Sequence, residues 1–415
     1  MSIWTIIALV NLLLWCIMAA NILYILFFAL AAQLPIKENS ELRTEGDDYL
    51  QYPSFLVLYP AYHEDAVIVK SVDTFLKQDY PKDLYHVIVI SDCMTPETNA
   101  KLASLPITLL QPLFEKSSKA KALQYAVATT ITQHPTSNTQ HPTPNYAVIL
   151  DADNIVGPDF LTRLSKIAIN DEAIQCHRTA KNANNDIAAL DGLSEEINNS
   201  IFRRGHNRIG MSSALIGSGM CFDYQWFKQN VGMLDSAVED RELEALLMRQ
   251  RIFIRYAEDI YVMDEKVSNS DNFQRQRLRW MTGQVQALVR MLPYIPKAIA
   301  TGNINYIDKT LQQALIPRSL LLVLTPLFAV ICSVMSCGAV ANSTLYTLHS
   351  QLCLLWWLLV LLLFLALFVA IPRRLRTTAL FRKALSLPAL VWPMLKNLLH
   401  IRPKDKEFIH TTHNQ

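Results

Sequence analysis

Two long apolar regions near opposite ends of the chain fix its plan before any motif is read. Ser2 to Leu34 carries no Lys, Arg, Asp or Glu, and a helix needs about 20 apolar residues to cross a bilayer. It has no positive start and too long an apolar run for a cleaved signal, which predicts a retained anchor. Leu320 to Ala341 and Leu352 to Ile371 form a second apolar pair, joined by Asn342 to Gln351 without Lys or Arg and followed by Arg373-Arg374-Leu375-Arg376. Positive residues stay on the cytoplasmic side. The Arg373 cluster, Lys37 and Arg43, and Lys309 and Arg318 therefore predict a cytoplasmic middle region and an outside N-terminus. Residues 377–399 mix Leu, Trp392 and Met394 with Arg382, Lys383, Lys396 and Pro388, a pattern for an amphipathic helix lying on the interface rather than a fourth span. The expected division is a transmembrane helix over 1–36, a cytoplasmic catalytic domain over 37–305, two spans with a preceding interfacial segment over 306–372, and an amphipathic cytoplasmic tail over 373–415.

Composition agrees with an integral membrane protein of the cell or inner membrane. The hydrophobic fraction is 51% and the charged fraction only 18%, and the net charge of +2 gives no field to attract nucleic acid. The seven cysteines contain no CxxC pair and no zinc spacing. Four of them, Cys16, Cys332, Cys337 and Cys353, fall in or beside apolar stretches as small hydrophobes.

The middle of the chain changes period. Phe55 to Tyr59, His86 to Ser91 and Tyr146 to Leu150 are apolar runs of strand length, separated by helical stretches such as Ala66 to Lys77 and Lys119 to Thr130. Alternation of this kind predicts an α/β domain with a mostly parallel sheet of Rossmann type, whose ligands bind at the carboxyl ends of the strands. Acidic residues collect at those ends. Glu64 and Asp65 follow the first run, Asp92 ends the second, and Asp151-Ala152-Asp153 follows the third. In an extended segment residues two apart face the same way, so Asp151 and Asp153 could converge on one ligand, and carboxylate oxygens suit a hard cation bridging a diphosphate. A duplicated Thr-Gln-His-Pro-Thr over residues 132–143 reads as a solvated surface insertion.

Two further clusters stand out. Val238 to Glu244 places Glu239, Asp240, Glu242 and Glu244 at a helix start, where a solvated, dipole-favoured first turn is the bland explanation. Gln276-Arg277-Leu278-Arg279-Trp280 combines guanidinium forks, which suit phosphate oxygens, with an indole face, which suits sugar C–H surfaces. A basic amphipathic helix at a membrane surface would look the same.

Taken in order, Tyr-Pro-Ala-Tyr-His-Glu, Ile-Ser-Asp, Leu-Asp-Ala-Asp, Glu-Asp and Gln-Arg-Leu-Arg-Trp resemble the family 2 glycosyltransferases over roughly residues 50–290. The resemblance is greatest to the membrane-bound branch that includes cellulose, hyaluronan and poly-N-acetylglucosamine synthases. It implies a GT-A-like domain flanked by transmembrane helices and an inverting hexosyl or N-acetylhexosaminyl transfer from a nucleotide diphosphate sugar, a UDP-sugar first, to a growing polysaccharide. It implies that Glu64, Asp92, Lys119 and Asp151 bind the donor nucleotide and that Asp153 holds Mg²⁺ or Mn²⁺. Asp240 is implied as general base beside Glu239. Gln276, Arg277, Arg279 and Trp280 would hold the diphosphate and acceptor end, and Gly217-Ser218-Gly219 would line the acceptor site. Departures fall on the donor side: Asp92-Cys93-Met94-Thr95-Pro96 replaces the usual Asp-Gly-Ser-x-Asp, Ser118 stands where a Gly precedes the lysine, and Gln124 replaces Asn.

Other readings remain at this stage. Single-sugar transfer to a membrane lipid, such as a polyprenyl phosphate or glycolipid, uses the same Gln-x-x-Arg-Trp pattern. Three spans make a slim channel, so a polymer exporter would call for a homodimer or partner subunit. A transporter is disfavoured because the spans carry no internal charge and the chain lacks a Gly-x-x-x-x-Gly-Lys loop. A catalytically inactive nucleotide-sugar-binding scaffold of the same fold is the alternative from another class.

Overall fold

The computed structural model describes residues 3–35, 52–133, 143–182, 185–236, 238–266, 270–338 and 343–377. Lys37, Arg43, most of the duplicated segment and the expected amphipathic tail from 378 onward lie outside the described residues.

The chain opens with helix α1 (Ile3–Ala31), then β1 (Phe55–Tyr62), α2 (Ile68–Phe75), β2 (Tyr85–Asp92), α3 (Pro96–Ala103), β3 (Thr108–Leu110) and α4 (Lys119–Gln133). The second half of the domain holds β4 (Tyr146–Ile149), β5 (Ile155–Val156), α5 (Phe160–Ala168), β6 (Ala173–Ala180) and α6 (Asp186–Asn198), which widens into a π-helical stretch, Asn199–Gly205, and runs on as α7 (His206–Arg208). There follow β7 (Met220–Asp223), α8 (Tyr224–Asn230), α9 (Glu239–Arg249), β8 (Ile254–Asp264), α10 (Ser270–Met291), α11 (Ile295–Ala300), α12 (Ile304–Ala314), α13 (Arg318–Gly338) and α14 (Ser343–Ala370).

Eight strands form one sheet in the order β3-β2-β1-β4-β7-β6-β8-β5. The four strands β3, β2, β1 and β4 are parallel, β7 enters antiparallel between β4 and β6, and β8 runs parallel to β6. Both faces are covered, which is why the strands read as continuous apolar runs rather than alternating ones. Along β1, Phe55, Val57 and Tyr59 pack on one side with Ile68, Val72 and Phe75 of α2 and Phe160 and Leu164 of α5. Leu56 and Leu58 pack on the other side with Leu123 and Val127 of α4, Phe227 of α8 and Leu243 and Leu247 of α9. Each fully buried side chain of this size contributes about 1.5–3 kcal/mol. The same burial on both faces fixes register, because a one-residue slip would exchange the two sets.

Three helices are long and apolar enough to cross a membrane: Thr5–Ala31, Arg318–Ser336 and Gln351–Ala370. The expected connector is shorter than its sequence implies, since Ser343 to Gln351 is already helical in α14; residues 339–342 lie outside the described set. Helix α14 packs against both α1 and α13, burying Ile22, Ile25, Trp356, Leu359 and Leu363 in one cluster. The Trp356 indole N–H donates to Asn11 Oδ1 of α1 at 2.8 Å, a polar tie that helps specify the pairing of two otherwise apolar helices.

The apolar helices join the sheet domain through a polar node. The Tyr24 hydroxyl of α1 donates to Asp308 Oδ1 of α12 at 2.7 Å and lies 3.1 Å from His206 Nε2. The amide of Gln312 donates to Asp308 Oδ2 at 2.8 Å and sits 3.0 Å from His206 Nε2. The His206 ring stacks on Phe28 with centroids 3.6 Å apart. Gly205 allows this approach: a Cβ there would stand 2.2 Å from the Phe28 carbonyl oxygen.

Candidate active site

The carboxyl ends of β1, β2 and β4 meet the first turn of α9 at one cavity of about 550 Å³. Its lining includes Glu64, Asp92, Lys119, Asp151, Asp153, Gly217, Glu239 and Asp240, together with Gln276, Arg277, Arg279 and Trp280. Sequence positions spread over more than 200 residues are thus brought to one place by the parallel strand ends. Sharp turns close the first two strands. His63 and Cys93, the residues just past β1 and β2, have φ of 54° and 57°, the left-handed region that non-glycine residues seldom adopt outside functional turns. Asp65 turns elsewhere: its carboxylate accepts from the Thr95 N–H at 2.8 Å and hydroxyl at 2.6 Å, fixing the residue that caps α3.

Asp151 and Asp153 sit in a turn rather than on an extended strand, because β4 ends at Ile149 and the Asn154 N–H bonds back to the Asp151 carbonyl at 3.0 Å. The two carboxylates therefore take different partners. Asp151 is ion-paired to Lys119. Asp153 is 3% exposed and accepts from the Glu265 N–H at 2.7 Å. Burial, with Asp264 and Asp151 adding their charge, pushes its carboxyl well above the usual range. Burial acts on Asp264 the same way, but Lys266 and Arg178 outweigh it and hold that carboxyl well below the usual range. Among the described residues no three His, Cys, Asp or Glu side chains form a ready metal cage.

Lys119, at the start of α4, is the clasp of the site. Its ammonium is paired with Asp151, donates to the Gly217 carbonyl at 2.6 Å and lies 3.4 Å from Glu239 Oε1. Burial works against its charge, yet Asp151 and Glu239 raise it above the ordinary lysine value. Burial acts on Glu239 in the opposite sense and pushes it up to about 7, with Lys119 lowering and Asp240 raising it. Gly217 has a φ of +85°, and a Cβ there would stand 3.7 Å from Asp240 Oδ2 and 3.9 Å from Glu239 Oε1. A glycine at this position both permits the turn and leaves the space before Asp240 open.

The remaining expected residues divide. Arg279 faces Glu239, Asp151 and Asp240; burial pulls its guanidinium below the usual value, and those carboxylates counter the effect. Arg277 pairs with Asp191 of α6 and lies over the Trp280 ring at 4.6 Å. Ser218 and Gly219 line β7's approach rather than the cavity: Ser218 is fully buried with its hydroxyl on Asn154, and a Cβ on Gly219 would meet Val262 at 2.9 Å.

Several lining residues carry no motif of their own: Arg178 on β6, Glu195 on α6, Arg203 on the π-helical stretch, Asp264 ending β8, Lys266 just past it, and Arg318 opening α13. Arg178 donates to Glu195 at 2.9 Å, and Lys266 to Asp264 at 2.7 Å. The signal available for Asp264 was its position after the apolar run Ile260 to Met263, the same pattern that marks Asp92 and Asp151.

A curled, mostly parallel sheet with acids at its strand ends, flanked by apolar helices, is a GT-A architecture. Among solved structures, the mannosyltransferase PcManGT from Pyrobaculum calidifontis, in complex with GDP-Man and Mn²⁺, matches 86% of this chain and 99% of its own at 15% identity and a TM-score of 0.50. S. aureus TarS 1-349 in complex with UDP matches at 16% identity over 58% of this chain and 65% of its own, with a TM-score of 0.36. Glucosyl-3-phosphoglycerate synthase from Mycobacterium tuberculosis, in complex with Mn²⁺, UDP and phosphoglyceric acid, matches at 16% identity over 53% of this chain and 72% of its own, with a TM-score of 0.35. No curated protein matches the sequence. The model for glycosyl transferase family group 2 matches residues 146–395, and that for glycosyl transferase family 2 matches residues 56–228. The chain belongs to the family 2 glycosyl transferases, enzymes that move a sugar from a nucleotide-sugar donor.

Proposed function

We propose that this protein is a membrane-bound inverting glycosyltransferase whose catalytic domain faces the cytoplasm and whose base is Asp240. The observation that carries the reading is the convergence of Glu64, Asp92, Asp151, Asp153, Asp240 and Arg279 on one cavity. Glu64 and Asp92 receive the nucleoside by hydrogen bonds to base and ribose. Lys119 and Arg279 supply positive charge where negative charge develops on the departing diphosphate. The acceptor oxygen forms its bond to the anomeric carbon as the bond from that carbon to the diphosphate breaks. The diphosphate leaves with the electron pair, and the hydroxyl proton passes to Asp240. A positioned base contributes about 10²–10⁴-fold.

A divalent cation fits the donor side. Asp153 is a buried carboxylate crowded by Asp264 and Asp151, which is a local excess of negative charge that a cation relieves. Asp153, with Asp264 beside it, would hold Mg²⁺ or Mn²⁺, leaving the rest of an oxygen shell to the diphosphate and water. When bound, the ion neutralises charge on the leaving group.

The motif order supports the membrane-bound branch with polysaccharide synthases. The cavity favours the other acceptor reading, single-sugar transfer to a membrane lipid, because its far end reaches Ile316, Leu322 of α13 and Leu367 of α14. A hydrophilic polymer gains nothing from such walls.

A donor screen tests the assignment. Purified protein with Mg²⁺ or Mn²⁺ is offered UDP-glucose, UDP-N-acetylglucosamine, UDP-glucuronate and GDP-mannose, and nucleotide diphosphate release is measured alongside Asp240→Asn. Release from one donor that the variant loses establishes the transferase and names its sugar, and product size separates glycolipid from polymer. No release from any donor in the presence of membrane lipids sinks the reading in favour of an inactive scaffold.

A further inference from the structure

The membrane end of the cavity has a charge that the catalytic reading does not use. Arg318 opens α13 at the point where the lining changes from polar to apolar. Its guanidinium donates to the Ser194 carbonyl at 3.0 Å, the Ser194 hydroxyl at 3.2 Å and Asn198 Oδ1 at 2.7 Å. All three are neutral. The other cations in this part of the cavity have carboxylate partners: Arg277 on Asp191, Arg178 on Glu195, and Arg203 at 3.7 Å from Glu195. Arg277, Glu195 and Arg203 lie within electrostatic reach of Arg318, but Glu195 is bonded to Arg178 and, among the described residues, no carboxylate bonds Arg318 itself. Arg318 sits in the first turn of a 21-residue helix, so the helix dipole adds to its positive field.

Immediately beyond it the walls are apolar. Leu322, one turn further along α13, and Leu367 of α14 face Leu193 and Ile197 of α6 and Phe202 of the π-helical stretch. A guanidinium bonded only to neutral acceptors, at the mouth of an apolar slot, is complementary to an amphiphile with an anionic head.

We propose that the acceptor is a membrane lipid with a phosphate-bearing head group: the phosphate docks on Arg318, the hydrocarbon runs along Leu322 and Leu367, and the acceptor hydroxyl points toward Asp240. This rests on the transferase reading for its purpose but not for its binding chemistry. Water-soluble phosphates would satisfy the arginine alone, and neutral lipids the slot alone. A lipid phosphate satisfies both, its oxygens matching the guanidinium fork and its chain the slot.

The test measures binding of octyl phosphate, octanol, inorganic phosphate and pyrophosphate to the full chain held in amphipol. Binding of the nucleotide diphosphate found in the donor screen is measured separately as a check on folding. Octyl phosphate is expected to bind at least about tenfold more tightly than octanol or inorganic phosphate, with about 1.4 kcal/mol corresponding to each tenfold. Arg318→Gln should lose that advantage and Arg318→Lys keep most of it. Leu322→Trp, which fills the slot, should reduce octyl phosphate to the level of inorganic phosphate. Equal binding of octanol and octyl phosphate overturns the anionic head, and equal binding of octyl phosphate and either inorganic anion overturns the lipid. Wild-type affinity in both Arg318→Gln and Leu322→Trp overturns the site itself. Tight octyl phosphate binding in a chain that binds no nucleotide would sink the transferase reading and leave the lipid site standing.

Discussion

Gly283 offers a way to move the candidate base without touching it. It lies on α10, three residues past Trp280, and a Cβ built there would stand 2.3 Å from Val238 Cγ1 and 3.2 Å from Val238 Cβ. Val238 is the residue before the first turn of α9, which carries Glu239 and Asp240. Carbon atoms settle at about 3.5–4.0 Å, so the methyl of Gly283→Ala must drive Val238 away by about 1 Å. Alanine gains about 1 kcal/mol over glycine in a helix interior, while overpacking costs about 1–3 kcal/mol. The net loss of stability is then only about 0–2 kcal/mol. Activity should fall much further, because a displacement of about 1 Å at a reacting group can cost about 10²-fold. The assay is single-turnover sugar transfer at saturating donor, with donor affinity and thermal unfolding measured in parallel. The expected result is a kcat about 10²-fold lower with donor affinity changed less than about threefold. Val238→Ala removes the two methyl carbons that clash, so the double variant should recover most of the rate, a coupling that a cycle of single and double variants isolates. Full activity in Gly283→Ala, or no recovery in the double variant, would refute the claim that α10 positions the base through Val238.

Three further outcomes follow from the site. Asp153→Asn should weaken metal-dependent donor binding by tenfold or more while leaving metal-free nucleotide affinity nearly unchanged, as read by calorimetry with and without chelator. Glu239, raised to about 7 by burial among Lys119, Asp240, Asp151 and Arg279, binds its proton more tightly folded than unfolded. Its contribution to stability is therefore full below the usual carboxylate range and is lost as pH rises from there toward 7. Glu239→Gln should flatten that part of the stability–pH curve and raise the unfolding temperature at pH 8 relative to wild type. Gly205→Val should lower the yield of folded protein in detergent, because its side chain meets the Phe28 backbone at the crossing of α1.

The parallel half of the sheet was legible in the sequence because β1, β2 and β4 are buried on both faces and read as unbroken apolar runs. The antiparallel insertion of β7 was not, since its four residues, Met220 to Asp223, carry too little pattern to distinguish strand from loop. The acids at the early strand ends could be found because each follows such a run. Arg178 and Glu195 could not, because their partners are distant in sequence: they form a buried pair brought together by the packing of α6 on β6, extended to Asp264, Arg203 and Lys266. The spacing of Asp151 and Asp153 misled in one respect. Period-two reasoning holds while a strand continues, and β4 stops just short of them, so the two carboxylates turn to Lys119 and to the Glu265 N–H instead.

The polar node at Tyr24, His206 and Asp308 makes the molecule a ruler. The helix that carries Asp308 also carries Gln313, which accepts from Arg241, the residue next to Asp240. Height is thus transmitted from the anchor helix to the catalytic turn through a single rigid element, α12. Under the proposed lipid-acceptor reading, an acceptor held in the bilayer presents its reactive group at a depth set by its own head, and the protein meets it at a depth set by this node. That reading makes selectivity for the acceptor partly a selection by length, made before any contact with the sugar.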